Sequence, residues 1–152
     1  MLELRPAPTG NRQSTMSARP LLTISAVIEL GAGVAIATVP SAAASLLFGA
    51  SLDAPVAEVV ARVAGIALLS LGIACWLARP DEQSRTAIGL ITAMLFYNAA
   101  VATLLAIAGL AINLSGPALW PAAFLHVAMA IWCFAFLLIR RGLLHIEIIQ
   151  IR

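Results

Sequence analysis

Charge is what this sequence has least of: only 11% of its 152 residues are Asp, Glu, Lys or Arg, less than half the usual share of a globular domain. So little charge cannot cover a water-soluble surface, and with 62% apolar residues and a mean hydropathy of +1.01 a soluble globule is excluded. Lysine is absent, and all nine basic residues are Arg. No glycine-rich phosphate loop occurs. The polar stretches between the apolar runs are too short for a soluble domain, which removes a nucleotide-binding fold and a nucleic-acid surface. His is nearly absent as well. His126 is the single His inside an apolar run and His145 lies beyond the end of that run, so no metal-ligand set assembles.

What is there instead is four apolar runs, 21–39, 56–78, 87–112 and 118–139, each near the roughly 20 residues that a helix needs to cross a bilayer. They imply an all-α integral membrane protein with a four-helix domain over 20–139, a disordered cytoplasmic N-terminal tail over 1–19 and a short cytoplasmic tail over 140–152. Pro40, Asp53 with Pro55, Arg79-Pro80-Asp81 and Ser115-Gly116-Pro117 punctuate the runs as helix ends. Short connections make sequential helices antiparallel neighbours, which predicts an up-down-up-down bundle. In the longest connection, 40–55, Ala42 to Phe48 is apolar enough to lie at the outer interface as a half-helix.

Orientation follows from the arginines. Arg5, Arg12 and Arg19 precede the first run, Arg79 and Arg85 bracket the second connection, and Arg140, Arg141 and Arg152 follow the fourth run. The other two connections carry no basic residue, so the positive-inside rule predicts both termini in the cytoplasm. Two readings of the first run stay open. It is an uncleaved helix by its length of 19 residues and by Glu29 at its centre, whereas Pro40-Ser41-Ala42-Ala43-Ala44 offers the A-x-A pattern of a signal-peptide cleavage site. Met16 is an alternative start to Met1.

Lipid tails are as apolar as Leu, so helices in a bilayer associate through small residues and hydrogen bonds. Gly31 and Gly33, Gly65 and Gly72, Ala102, Ala106 and Gly109, and Ala122 and Ala130 supply small residues in the four runs. Against them stand a few polar groups at membrane depth: Glu29, Arg62, the Tyr97-Asn98 pair and His126. An ionisable residue there is expensive and marks a functional candidate. At 1.5 Å per residue from the outer ends, Glu29 lies roughly 15 Å deep, Arg62 roughly 9 Å, Asn98 roughly 21 Å and His126 roughly 12 Å. Arg62, Asn98 and His126 share stripes with the small residues, which predicts that they face into the bundle. Arg62 has two acidic suitors. The expected arrangement is a Glu29–Arg62 ion pair with His126, Asn98 and Tyr97 beside it; the alternative is an Arg62 that snorkels outward to Glu58, four residues earlier. Each polar group also has a purely structural reading as interhelical glue.

Cys75 and Cys133 both fall in the cytoplasmic half, where a structural disulfide is not expected, and are read as small hydrophobes, with a redox pair at their similar depth as the alternative. Trp76 and Trp120 suit the inner and outer aromatic belts, while Trp132 lies deeper.

Glu29 with Gly31 and Gly33, followed in the second run by Ala61-Arg62-Val63-Ala64-Gly65-Ile66-Ala67-Leu68-Leu69-Ser70-Leu71-Gly72, resembles the small four-helix membrane proteins of the DoxX-like group. That resemblance covers the helical core. It implies a bacterial inner-membrane bundle and suggests redox chemistry, because DoxX itself is associated with quinone-linked sulfur oxidation.

The resulting expectation is a small inner-membrane protein whose polar cluster of Glu29, Arg62, Tyr97, Asn98 and His126 binds a small lipid-soluble molecule such as a quinone. Arg62, Tyr97, Asn98 and His126 would donate hydrogen bonds to it, and Phe96, Phe124 and Trp132 would wall it. No catalytic residue and no resident cofactor is assigned. Its surroundings would be the lipid bilayer, with a larger membrane system or a second copy as partner. Two alternatives belong to other classes: a structural or assembly protein without a ligand, and a conductor of protons or small solutes through Glu29 and His126.

Overall fold

The computed structural model describes residues 17–150, with side chains to Gly142; residues 1–16 of the tail expected over 1–19, the alternative start at Met16 and the side chain of His145 lie outside the described residues, and the helix that follows already begins at Arg19. Five helices make up the fold: α1 (Arg19–Thr38), α2 (Pro40–Phe48), α3 (Pro55–Ala78), α4 (Arg85–Leu110) and α5 (Leu119–Gln150). No strand is present among the described residues. α1, α3, α4 and the Leu119–Gly142 part of α5 are each long and apolar enough to cross a membrane. The 20 residues of α1 alone reach about 30 Å, the hydrocarbon thickness of a bilayer.

Prolines and one polar side chain set the helix starts. Pro40 and Pro55 open α2 and α3, where a missing N–H costs nothing. Ser84 caps α4, its hydroxyl accepting from the Ala87 N–H at 3.1 Å. Ala18, the N-cap of α1, has no capping side chain, and the Arg19 N–H is met instead by Ser17 Oγ at 3.3 Å and by Glu82 Oε2 of the α3–α4 connection at 2.6 Å, Ser17 Oγ itself donating to Glu82 Oε2 at 2.7 Å. A carboxylate at a helix N-terminus is favoured by the exposed amides and by the helix dipole.

The expected end of the fourth run at 139 marks a change of hydropathy, and α5 continues through Arg140 and Arg141 to Gln150. Apolar run length reports depth in a bilayer, whereas an existing helix propagates until something breaks it.

The closest backbone packing occurs within two pairs, α1 with α3 and α4 with α5. Along the first pair the contacts run in opposite order, Leu30 against Gly72, Gly33 against Gly65 and Leu69, and Ala37 against Gly65. A Cβ on Gly65 would stand 2.5 Å from the Ala37 nitrogen and 2.9 Å from the Gly33 carbonyl, so this crossing requires glycine. The second pair is likewise antiparallel, with Asn98 meeting His126 and Gly109 meeting Leu119 and Trp120. Between the pairs, Leu21, Leu22 and Ala26 of α1, Cys75 of α3, Ile91 and Met94 of α4, and Met129, Cys133 and Phe136 of α5 form one buried cluster.

At the Arg-rich end, Arg140 Nη2 donates to the Gln83 carbonyl at 2.8 Å and Arg79 stacks 3.1 Å over the Trp76 ring. At the other end, α2 and the connection from α4 to α5 close the bundle together, the Ala118 N–H donating to Leu46 O at 2.9 Å. Ser41 of α2 donates to Glu58 of α3 at 3.0 Å. The outer surface is apolar, with Val56, Leu77, Phe96, Leu110 and Phe124 among its most exposed side chains.

Candidate functional site

Glu29 stands near the middle of α1, about 15 Å from either end at the helical rise, and its side chain is only 2% exposed. It faces the seam between the two helix pairs. There Tyr97 of α4 donates its hydroxyl to Glu29 Oε2 at 3.2 Å. The Tyr97 ring meets the His126 ring of α5 edge to face, centroids 5.7 Å apart and planes at 80°. His126 Nδ1 lies 2.7 Å from Asn98 Oδ1, and Asn98 Nδ2 donates to the Met94 carbonyl one turn back at 2.8 Å. Asn98 is 1% exposed, whereas Tyr97 and His126 are half-buried.

Four of the five candidate residues therefore meet in one chain of contacts over three helices. Arg62 is elsewhere. Its Nη1 donates to the carbonyls of Ala37 and Thr38 at 2.6 and 3.3 Å, and the expected pair with Glu29 is not formed. Nor does Arg62 turn to Glu58, whose carboxylate holds Ser41. The reason lies in Pro40: with α1 broken at Val39, the last α1 carbonyls lose their helical partners, and a guanidinium reaching across from α3 replaces them. Among the described residues the salt bridge is Arg19 with Glu82, at 3.6 Å and at the Arg-rich end.

Of the three expected aromatic walls, Phe96 and Phe124 are 77% and 69% exposed, while Trp132 packs half-buried against the core. A groove of about 430 Å³ runs along the outer face of α4 between Phe96, Ala99, Ala100, Thr103 and Leu104. A second, of about 130 Å³, is lined by Thr92, Leu95, Phe134, Leu137, Leu138 and Arg141. Neither is lined by a cluster residue.

Cys75 and Cys133 are free thiols, both wholly buried in the apolar cluster next to the polar one. Ser25, one turn before Glu29 and 2% exposed, is a buried polar residue that residue-by-residue reading overlooks; its i, i+4 spacing to Glu29 is the available signal. The Met94 carbonyl is a backbone acceptor and leaves no mark in sequence. Among the described residues no group of three or more His, Cys, Asp or Glu could hold a metal ion.

Chemically, the cluster brings a carboxylate, a phenol, an imidazole and an amide together away from water. No protein-family model, characterised protein or solved structure matches this chain.

Proposed function

We propose that this chain is a four-span protein of a bacterial inner membrane, crossing up-down-up-down with both termini cytoplasmic, whose Glu29–Tyr97–His126–Asn98 cluster binds a small lipid-soluble molecule bearing a polar ring, a quinone-type compound being the test case. The orientation rests on eight arginines flanking one side of the spans and none in the two opposite connections. The resemblance to DoxX-like proteins belongs to the same proposal, as does service to a larger membrane system.

One observation carries the binding role. The Glu29 carboxylate is buried at mid-helix, its bond from Tyr97 reaches across the helix seam, and the cation expected beside it is engaged elsewhere. Holding helix register needs only neutral polar groups such as Asn or Ser, and an ionisable group at that depth is costly. Its presence there is best accounted for by recognition of something that enters from the bilayer past the half-buried Tyr97 and His126.

The test is titration of the purified protein in detergent or nanodiscs with a short-chain quinone and its hydroquinone. Saturable binding that His126→Ala and Tyr97→Phe weaken, with helical content unchanged, supports the reading. No saturable binding of either form would leave the cluster with the structural role alone, a role to which the fully buried Asn98 amide is suited.

A further inference from the structure

The hydrogen bonds of the cluster fix which way its protons point, and that direction defines the kind of ligand it takes. Asn98 Nδ2 donates to Met94 O, so the amide oxygen is the atom turned toward His126. An amide oxygen carries no proton. The 2.7 Å contact therefore requires the hydrogen on His126 Nδ1, and in a neutral imidazole this leaves Nε2 with a lone pair. Tyr97 has likewise given its hydroxyl hydrogen to Glu29. The two half-buried members of the cluster thus have their protons spent inside the protein, and the remaining capacity of His126 is to accept at Nε2.

Residue types alone suggest the reverse, a set of donors for carbonyl oxygens. We infer that the cluster takes its ligand through a hydroxyl that donates to His126 Nε2, so that a membrane-soluble phenol or hydroquinone is bound in preference to the corresponding quinone. The inference deepens the ligand-binding reading above and rests on it. A carbonyl oxygen brought to Nε2 would set two acceptors face to face away from water, where an unmade hydrogen bond is most costly.

Two measurements test this, and the first needs no ligand. In nitrogen NMR of histidine-labelled full-length protein in nanodiscs, with His126→Ala used to separate His126 from His145, Nδ1 of the neutral ring should give the protonated signal and Nε2 the unprotonated one. A protonated Nε2 would overturn the inference, whatever binds. In the second, a short-chain hydroquinone kept reduced should bind about tenfold or more tightly than its quinone and shift the Nε2 signal. Equal or tighter binding of the quinone would refute the inference while leaving the binding site standing. Binding of neither form would sink both. Asn98→Leu, which frees the ring to change tautomer, should bring the preference close to unity; Asn98→Asp, which keeps an acceptor facing Nδ1, should retain it and guards against a folding defect in the first variant.

Discussion

Tyr97 of α4 and Glu29 of α1 are joined by a single hydrogen bond of 3.2 Å across the seam between two helix pairs whose shared buried core is apolar. Backbone contact is closest within each pair, so this bond is one of the few directional links between them.

The bond should appear in a double-mutant cycle. Tyr97→Phe leaves a buried carboxylate without its donor, and Glu29→Leu leaves a phenol without its acceptor. Each should lower stability in detergent by about 1–3 kcal/mol, and the coupling between them should fall near 0.5–1.5 kcal/mol, the range of interhelical hydrogen bonds in membranes. Additive losses, measured by denaturant or thermal unfolding, would show that the bond does not link the pairs.

The α1–α3 crossing makes a sharper steric prediction. A side chain on Gly65 meets the backbone of Ala37 and Gly33, which cannot move aside as a flexible side chain can. Gly65→Val should cost about 2–3 kcal/mol or separate the pair. Gly31 and Gly89 are the controls, since a Cβ at either meets nothing within 4 Å. Their Ala variants should be neutral or stabilising by up to about 1 kcal/mol through helix propensity. Equal loss at all three positions in thermal unfolding would refute the close crossing.

Helix runs and the depth of their polar residues are legible in this sequence because both are one-dimensional quantities: hydropathy over a window and a count of residues from an end. Glu29, Tyr97, Asn98 and His126 stand out on that basis, each a polar group in an apolar run. The partner of Arg62 is not legible. A long guanidinium side chain spans several ångströms, and its acceptors are the Ala37 and Thr38 carbonyls, which become free only because Pro40 breaks the helix two residues later. Donor direction is hidden for the same reason. His126 is assigned its tautomer by Asn98, which is oriented in turn by the Met94 carbonyl, a backbone atom common to every residue type.

Orientation in the membrane is open to reporter fusions. Alkaline phosphatase, active only outside the cytoplasm, should be active when inserted at Ser51 and inactive when fused after Arg152, because the connection holding Ser51 has no arginine and the C-terminal flank has three. An active C-terminal fusion would invert or shorten the proposed topology.

The last prediction concerns Arg62 as a cap rather than as a counter-ion. The guanidinium meets the final carbonyls of α1, the negative end of the helix dipole, and so supplies both hydrogen bonds and charge where α1 stops. Arg62→Met keeps much of the aliphatic stem and removes the donors, and should lower thermal stability by about 0.5–1.5 kcal/mol. Arg62→Lys should recover part of that, because an ammonium retains the charge but not the planar fork. The decisive comparison is with Glu29. If Arg62 serves the end of α1, Arg62→Met and Glu29→Leu add to within about 0.5 kcal/mol, as independent sites do. If the two were ion-paired, removing one would leave a buried charge that the second substitution relieves, and the double variant would be markedly more stable than the sum predicts. Strong coupling in that cycle would return Arg62 to the polar cluster and add a guanidinium donor to a site otherwise built to accept.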